Sequence, residues 1–195
     1  MGQVITLNPP RVETVQIEVQ GTASLICHRW SEKAKKQMLD KQTKAARTAK
    51  TAKNPKKDFE DSLYPHPDGG YGFPSVAFKA AAVRAGTYSD MKMTFLRGAF
   101  HVTGELVKIH GEPTMREDMV RLPSRVADIR HRGEFKEWSA TVPLQVNTSA
   151  LSVEQLANLF VIAGFAVGVG EWRPERNGQY GRFEVGAIQA ERRAA

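Results

Sequence analysis

The residues able to do acid–base or metal chemistry are few and scattered. His28, His66, His101, His110 and His131 give no pair at zinc-binding spacing. Cys27 is the only cysteine, so the chain has no intrachain disulfide and no cysteine-based zinc site. Glu112, Glu117 and Asp118 form a small acidic group, but carboxylates on a surface loop are ordinarily just solvated. His28 follows an apolar run and could serve as a general acid or base; a lone histidine at a strand end is more often structural. The glycines near the C-terminus precede no Walker-type lysine and lack dinucleotide-fingerprint spacing. No cofactor and no metal are expected.

A second kind of chemistry has more support: contact with phosphates and unpaired bases. Gly164, Gly168, Gly170, Gly178 and Gly181 fall within eighteen residues, interleaved with Phe165, Trp172, Tyr180 and Phe183. Glycine accepts positive φ and lets backbones approach closely. Gly168 and Gly170 are thus expected to touch either a ligand backbone or a neighbouring strand. Trp172 and Tyr180 can stack on bases, at roughly 1–3 kcal/mol each. Phe165 and Phe183 are assigned to the core. Arg173, Arg176 and Arg182 add charge for phosphates.

The net charge of +7 is uneven. Arg29 to Lys57 holds eleven Lys or Arg against Glu32 and Asp40, a local +9, which leaves −2 for the rest. Lys33, Lys35, Lys36, Lys41, Lys44, Arg47, Lys50, Lys53, Lys56 and Lys57 are its candidate phosphate ligands. Arg121, Arg125, Arg130 and Arg132 make a second basic stretch.

These residues need elements to position them. Val15, Ile17 and Val19 alternate with Gln16, Glu18 and Gln20, a half-buried first strand. Leu25 and Cys27 extend its inward set past Gly21. Residues 31–72 read as a basic insertion: a mobile, partly helical stretch to Lys57, then a loop from Asp58 to Gly72. Phe73-Pro74-Ser75 opens a helix whose Val76, Ala80 and Val83 face inward, with Lys79 free to reach a ligand. Gly104-Glu105 predicts a hairpin between 99–103 and 106–110. Gly111 to Arg125 reads as irregular, and Gly133 as a turn. Trp138, Ala140, Val142, Leu144 and Val146 alternate without a break. Pro143 on the opposite face predicts a bulge or an open edge. Ser152 and Gln155 make a capping box for a helix stopped by Gly164. A last strand follows at 182–187.

The major elements run strand, helix, strand pair, helix, strand. The fold class is α+β: a ferredoxin-like (RRM-like) βαββαβ domain, 1–195, with a glycine-rich loop before its last strand. Gly168-Val-Gly170 with Gly178-Gln-Tyr180-Gly181-Arg-Phe183, in that position, resembles the RAMP superfamily, the CRISPR effector proteins built on RRM-like domains. The chain is also similar to uncharacterised phage and prophage proteins. The resemblance implies subunits of a CRISPR-type complex as partners and polymerisation along a strand. It also puts a catalytic histidine after strand one in the processing endonucleases. The sequence therefore predicts a non-catalytic protein that binds single-stranded nucleic acid and self-associates, as a homo-oligomer or filament. The alternatives are a phage interaction protein or decoy of such a complex, and an RNA-processing nuclease using His28. No apolar run approaches the roughly 18 residues of a membrane span, and the lone cysteine and absent leader fit a cytoplasmic setting.

Overall fold

The structure, a computed structural model, describes residues 9–43, 53–121 and 126–191. Its central strands are those with the strictest alternation. β1 (Val12–Gly21) buries Val15, Ile17 and Val19 and turns Gln16, Glu18 and Gln20 to solvent. β9 (Ser139–Asn147) buries Ala140, Val142, Leu144 and Val146 at 2% exposure or less. The two pair antiparallel from Val12↔Asn147 to Gln20↔Ser139. A one-residue slip would turn every buried side chain outward, so the apolar alternation fixes this register.

After β1 come β2 (Leu25–Cys27), α1 (Glu32–Gln42), α2 (Pro55–Ser62), β3 (Tyr64–Pro65) and β4 (Tyr71–Pro74). The chain continues with α3 (Ser75–Ala85), α4 (Met93–Ala99), β5 (Phe100–Val102) and β6 (Leu106–His110). Then follow β7 (Pro113–Arg121), β8 (Ala127–Phe135), β9, α5 (Val153–Ile162) and β10 (Phe183–Glu191). One antiparallel sheet runs β10-β1-β9-β6-β4-β3, with β5 also on β9; a second runs β2-β8-β7. Helices α3 and α5 pack on each other and cover the buried face of the large sheet. The outward face of β1 is open. An aromatic chain runs through the core. Trp138 meets Phe183 at 6.2 Å, Phe183 meets Phe78 at 6.3 Å, Phe78 meets Phe73 at 6.4 Å, and Phe73 meets Tyr64 at 5.6 Å. Each such pair adds roughly 0.5–1.5 kcal/mol beyond its buried area.

Several local expectations are corrected. Residues 99–110 form no hairpin. β5 and β6 pair with the same strand, Phe100↔Val146 and Ile109↔Ala140, so they are one strand interrupted at 103–105. Pro143 explains the interruption. Its carbonyl accepts from the Thr103 N–H (2.9 Å), so its nitrogen, which has no hydrogen to donate, faces the same neighbour. β9 is central rather than an edge: it pairs in unbroken register with β1 through Pro143, and only its other neighbour is interrupted there. Leu25, Ile26 and Cys27 are buried but belong to the second sheet. On α3 Val83 faces inward as expected, with Phe78, Ala81, Ala82 and Ala85, whereas Val76 is 70% exposed and Ala80 is exposed too. After α5 the helix widens into a π turn (Ala163–Val167) instead of ending at Gly164, and Phe165 on it is 77% exposed. Gly111–Arg125 includes β7.

The span Asp58–Gly72 is not a loop. It holds the end of α2 and the β3–β4 hairpin, Tyr64↔Gly72. Asn54 caps α2 by accepting from the Lys57 N–H (3.1 Å), with Pro55 in the first turn. Gly133 lies within β8 rather than in a turn. A Cβ there would run into the Leu63 side chain, so glycine leaves room for Leu63, at the end of α2, to pack on the strand. Ser62 fastens the contact: its buried hydroxyl donates to the Phe59 carbonyl (2.6 Å) and accepts from the Gly133 N–H (2.7 Å). Ser62→Ala leaves that N–H buried and unpaired, at a cost of roughly 1–3 kcal/mol. Thermal unfolding of the variant checks this; an unchanged Tm would mean that water reaches Gly133.

Candidate functional site

The glycine-rich loop leaves the π turn at Gly168 (φ 71°) and Gly170 (φ 83°), both left-handed. Its partners are in this chain. The Glu171 N–H donates to the Ile26 carbonyl (3.1 Å), the Val169 N–H to Gly181 (2.9 Å), and the Gly181 N–H to Ser24 (2.8 Å). A Cβ on Gly170 would lie 2.8 Å from the Ile26 oxygen. Gly170 makes its close approach to the neighbouring Leu25–Cys27 strand, and Gly168 to Arg173, Pro174 and Gly181 of its own loop.

Trp172 and Tyr180 stand on the two limbs of the loop, half-buried, with centroids 6.1 Å apart. The Arg116 guanidinium lies over both, 4.8 Å from Tyr180 and 5.5 Å from Trp172, and Arg132 lies 5.0 Å from Trp172. Arg116 also donates to the Tyr180 hydroxyl (3.2 Å), Asp118 (2.9 Å) and Glu134 (3.0 Å). β7 and β8 thus grip the loop through two arginines, Arg116 and Arg132. Sequence reading missed Arg116 and Glu134, because the alternation of β7 carries charge on both faces. Asp118 and Glu117 were read as solvated. The structure instead pairs Asp118 with Arg116 and Arg132, and Glu117 with His131.

Arg173 is anchored as well, donating to the Gly170 carbonyl (3.1 Å) and to Glu175 (2.8 Å). Arg182 donates to the Gln179 carbonyl (3.1 Å). Arg176 is exposed. Arg176→Ala should therefore keep its stability within about 0.5 kcal/mol. Arg173→Ala should lower the Tm, since it unties the loop at Gly170. Equal melting curves for the two variants would contradict this.

His28 follows β2, its Nδ1 3.3 Å from Glu171 Oε1. The hydrogen bond from His28 holds the Glu171 carboxyl below the usual range, against the effect of its burial, with Arg132 and Arg173 helping. Two clefts border His28, and a third lies beyond Arg176. The first, about 420 Å³, lies between α3 and the loop and includes His28, Glu171, Arg173 and Arg176. The second, about 260 Å³, is lined by His28, Arg29, Lys53, Arg130 and Arg132 among others. The third, about 720 Å³ and shallow, holds Trp172, Arg176, Tyr180 and Arg182. His28 joins the first two and Arg176 joins the first and third.

Other candidate ligands are spread wider. Lys79 is 3.0 Å from His101 Nδ1 and lines none of these clefts. Lys33, Lys35, Lys36 and Lys41 ride on α1, where Lys35 pairs with Glu32. Lys53 pairs with Asp128, and Lys57 lies 4.0 Å from Asp61. Lys56 is exposed. Lys44, Arg47, Lys50 and Arg125 lie outside the described residues. Among the described residues there is no cluster of metal-ligating side chains and no helix long and apolar enough to cross a membrane.

No family model and no curated protein matches the sequence. Among solved structures, the fold is similar to a chain in the cryo-EM structure of the Type III-B Cmr-beta bound to cognate target RNA. That match has a TM-score of 0.57 and 7% identity, and covers 93% of this chain and 61% of the other. The chain thus spans about three-fifths of the length of that neighbour. The crystal structure of Cmr6 from Pyrococcus furiosus aligns over 92% of this chain and 99% of its own, with 11% identity and a TM-score of 0.47. The Cmr-beta likeness is one of fold: helices packed on antiparallel sheets.

Proposed function

We propose that this chain is a RAMP-type protein that binds single-stranded nucleic acid without cleaving it. The order β10-β1-β9-β6 with α3 and α5 on one face supports reading its frame as ferredoxin-like βαββαβ, with 31–72 inserted in a single domain. The fold likeness to a Cmr-beta chain and the glycine-rich loop before β10 support the family. The observation that carries the function is a set of three clefts that share lining residues, His28 between the first two and Arg176 between the first and third. Seven Arg or Lys line them against five carboxylates, with Trp172 and Tyr180 at one end. Such a lining suits a strand whose phosphates supply most of the affinity. The strand enters from the +9 segment, and Arg176 and Arg182 meet phosphates where it leaves. Several copies bind side by side, the open nine-residue edge of β10 serving contact between them. Coding by a phage and partner subunits of a CRISPR-type complex complete the reading.

Fluorescence anisotropy of labelled RNA and DNA oligonucleotides, from about 50 to 200 mM salt, tests this. Salt-dependent binding is expected. No binding at low salt, with a 260/280 nm absorbance ratio of protein alone after purification, overturns it. The His28–Glu171 contact favours one other reading, an RNA-processing nuclease with His28 as general base oriented by Glu171. Cleavage that disappears in His28→Ala would establish that reading in its place.

A further inference from the structure

Strand β2 is three residues long while its partner β8 has nine, and β2 pairs only with Gly133, Glu134 and Phe135. Where β8 runs on past the end of β2, a notch of about 260 Å³ opens, closed on its other sides by α2 and the segment after β2. Arg132 lines it. This arginine is 5% exposed, yet its Nε and Nη1 have no hydrogen-bond partner. The nearest opposite charge at Nη1 is Asp118 Oδ2, 3.6 Å away. The Trp172 ring covers the guanidinium at 5.0 Å, and stacking occupies its flat side while leaving the N–H donors at its edge unused.

Buried polar groups are nearly always paired, so a buried cation with no partner at Nε and only a 3.6 Å ion pair at Nη1 points to a missing acceptor. The notch favours an anionic one. Four cations, Arg29, Lys53, Arg130 and Arg132, line it against three carboxylates, of which Asp128 is already met by Lys53 and Arg130 and Asp61 by Lys57, while Asp58 keeps its charge. Burial lowers the Arg132 pKa below its ordinary value, as expected for a cation with too few partners.

We propose that this notch is a phosphate-binding subsite. Arg132 offers Nε and Nη1 to two phosphate oxygens, and Arg29 and Arg130 neutralise the charge at the rim. A planar guanidinium edge matches the spacing of two phosphate oxygens. The phosphate comes from a strand's 5′ end or from its backbone; only that origin rests on the strand-binding reading above.

The test uses the full chain and inorganic phosphate, titrated calorimetrically against chloride at equal ionic strength. Saturable binding is expected, weakened roughly tenfold or more in Arg132→Gln, since charge-assisted bonds are lost. If Arg132→Gln does not fold, the Arg29→Ala, Arg130→Ala double variant must show the weakening instead. No saturable phosphate binding by the parent protein overturns the proposal, as does binding that these variants leave unchanged. Two otherwise identical oligonucleotides, with and without a 5′-phosphate, identify the source. Tighter binding of the phosphorylated one, with the difference erased in Arg132→Gln, assigns the terminal group. Equal binding, lowered alike by Arg132→Gln, assigns a backbone phosphate. If neither oligonucleotide binds while inorganic phosphate still does, the subsite stands and the strand-binding reading falls.

Discussion

Replacing Lys33, Lys36, Lys41, Lys44, Lys50 and Lys56 together by glutamine is expected to weaken single-strand binding by roughly a thousandfold at low salt. That is the scale on which about six phosphate contacts respond to moderate salt. The salt slope should flatten as well, by about 0.7 for each lysine that truly meets a phosphate on a single strand. The sextet avoids Lys35, Lys53 and Lys57, which have carboxylate partners in this chain. Anisotropy titrations at several salt concentrations measure both quantities. If affinity and slope are unchanged, the basic segment is not the phosphate contact. The clefts bordering His28 must then act alone.

The second large effect falls on stability. Arg116→Ala should cost about 3–5 kcal/mol, because it leaves the buried Glu134 without its arginine and Asp118 with Arg132 alone, 3.6 Å away. Asp118 and Glu134 are each only 8% exposed, and both depend on the Arg116 fork. Arg116→Lys should recover only part of the loss. A lysine ammonium cannot reach two carboxylates and a tyrosine hydroxyl in one plane, nor stack on Tyr180 as a guanidinium does. Urea unfolding of the three proteins checks this. A loss below about 1 kcal/mol in Arg116→Ala would show that water reaches Asp118 and Glu134 freely. The near-ultraviolet signals of Trp172 and Tyr180 should change in the same variant, since Arg116 lies over both rings.

The frame was legible wherever one rule dominated. β1 and β9 alternate strictly, and α5 starts with a capping box that the structure reproduces on both sides, Ser152 with Gln155. What stayed hidden depends on partners distant in sequence. β7 carries Arg116, Glu117, Asp118 and Arg121, and no apolar face marks it as a strand; its pairing with β8 and its arginine contacts with the loop hold it. Gly133 resembled a turn residue because its role, making room for Leu63, appears only when α2 arrives. The break between β5 and β6 mimicked a hairpin, since Gly104 supplies a left-handed residue in either case. At the candidate site, sequence picked out Trp172, Tyr180 and the loop arginines. It could not show that Arg116 and Arg132 already cover those rings, or that Arg173 is tied to Gly170.

The bonds from Val169, Glu171 and Gly181 stitch the glycine-rich loop to its own far limb and to the Ser24–Ile26 backbone. A glycine-rich segment left loose would order only as a partner arrived, at an entropic cost of about 1–2 kcal/mol for each residue fixed. This loop is already ordered before anything binds. Its Val169 and Gly181 amides should therefore exchange with deuterated water on the slow time scale of the core strands rather than that of surface turns. A ligand would meet a stiff, ready-shaped wall, and little of the intrinsic binding energy would be consumed in folding the loop around it.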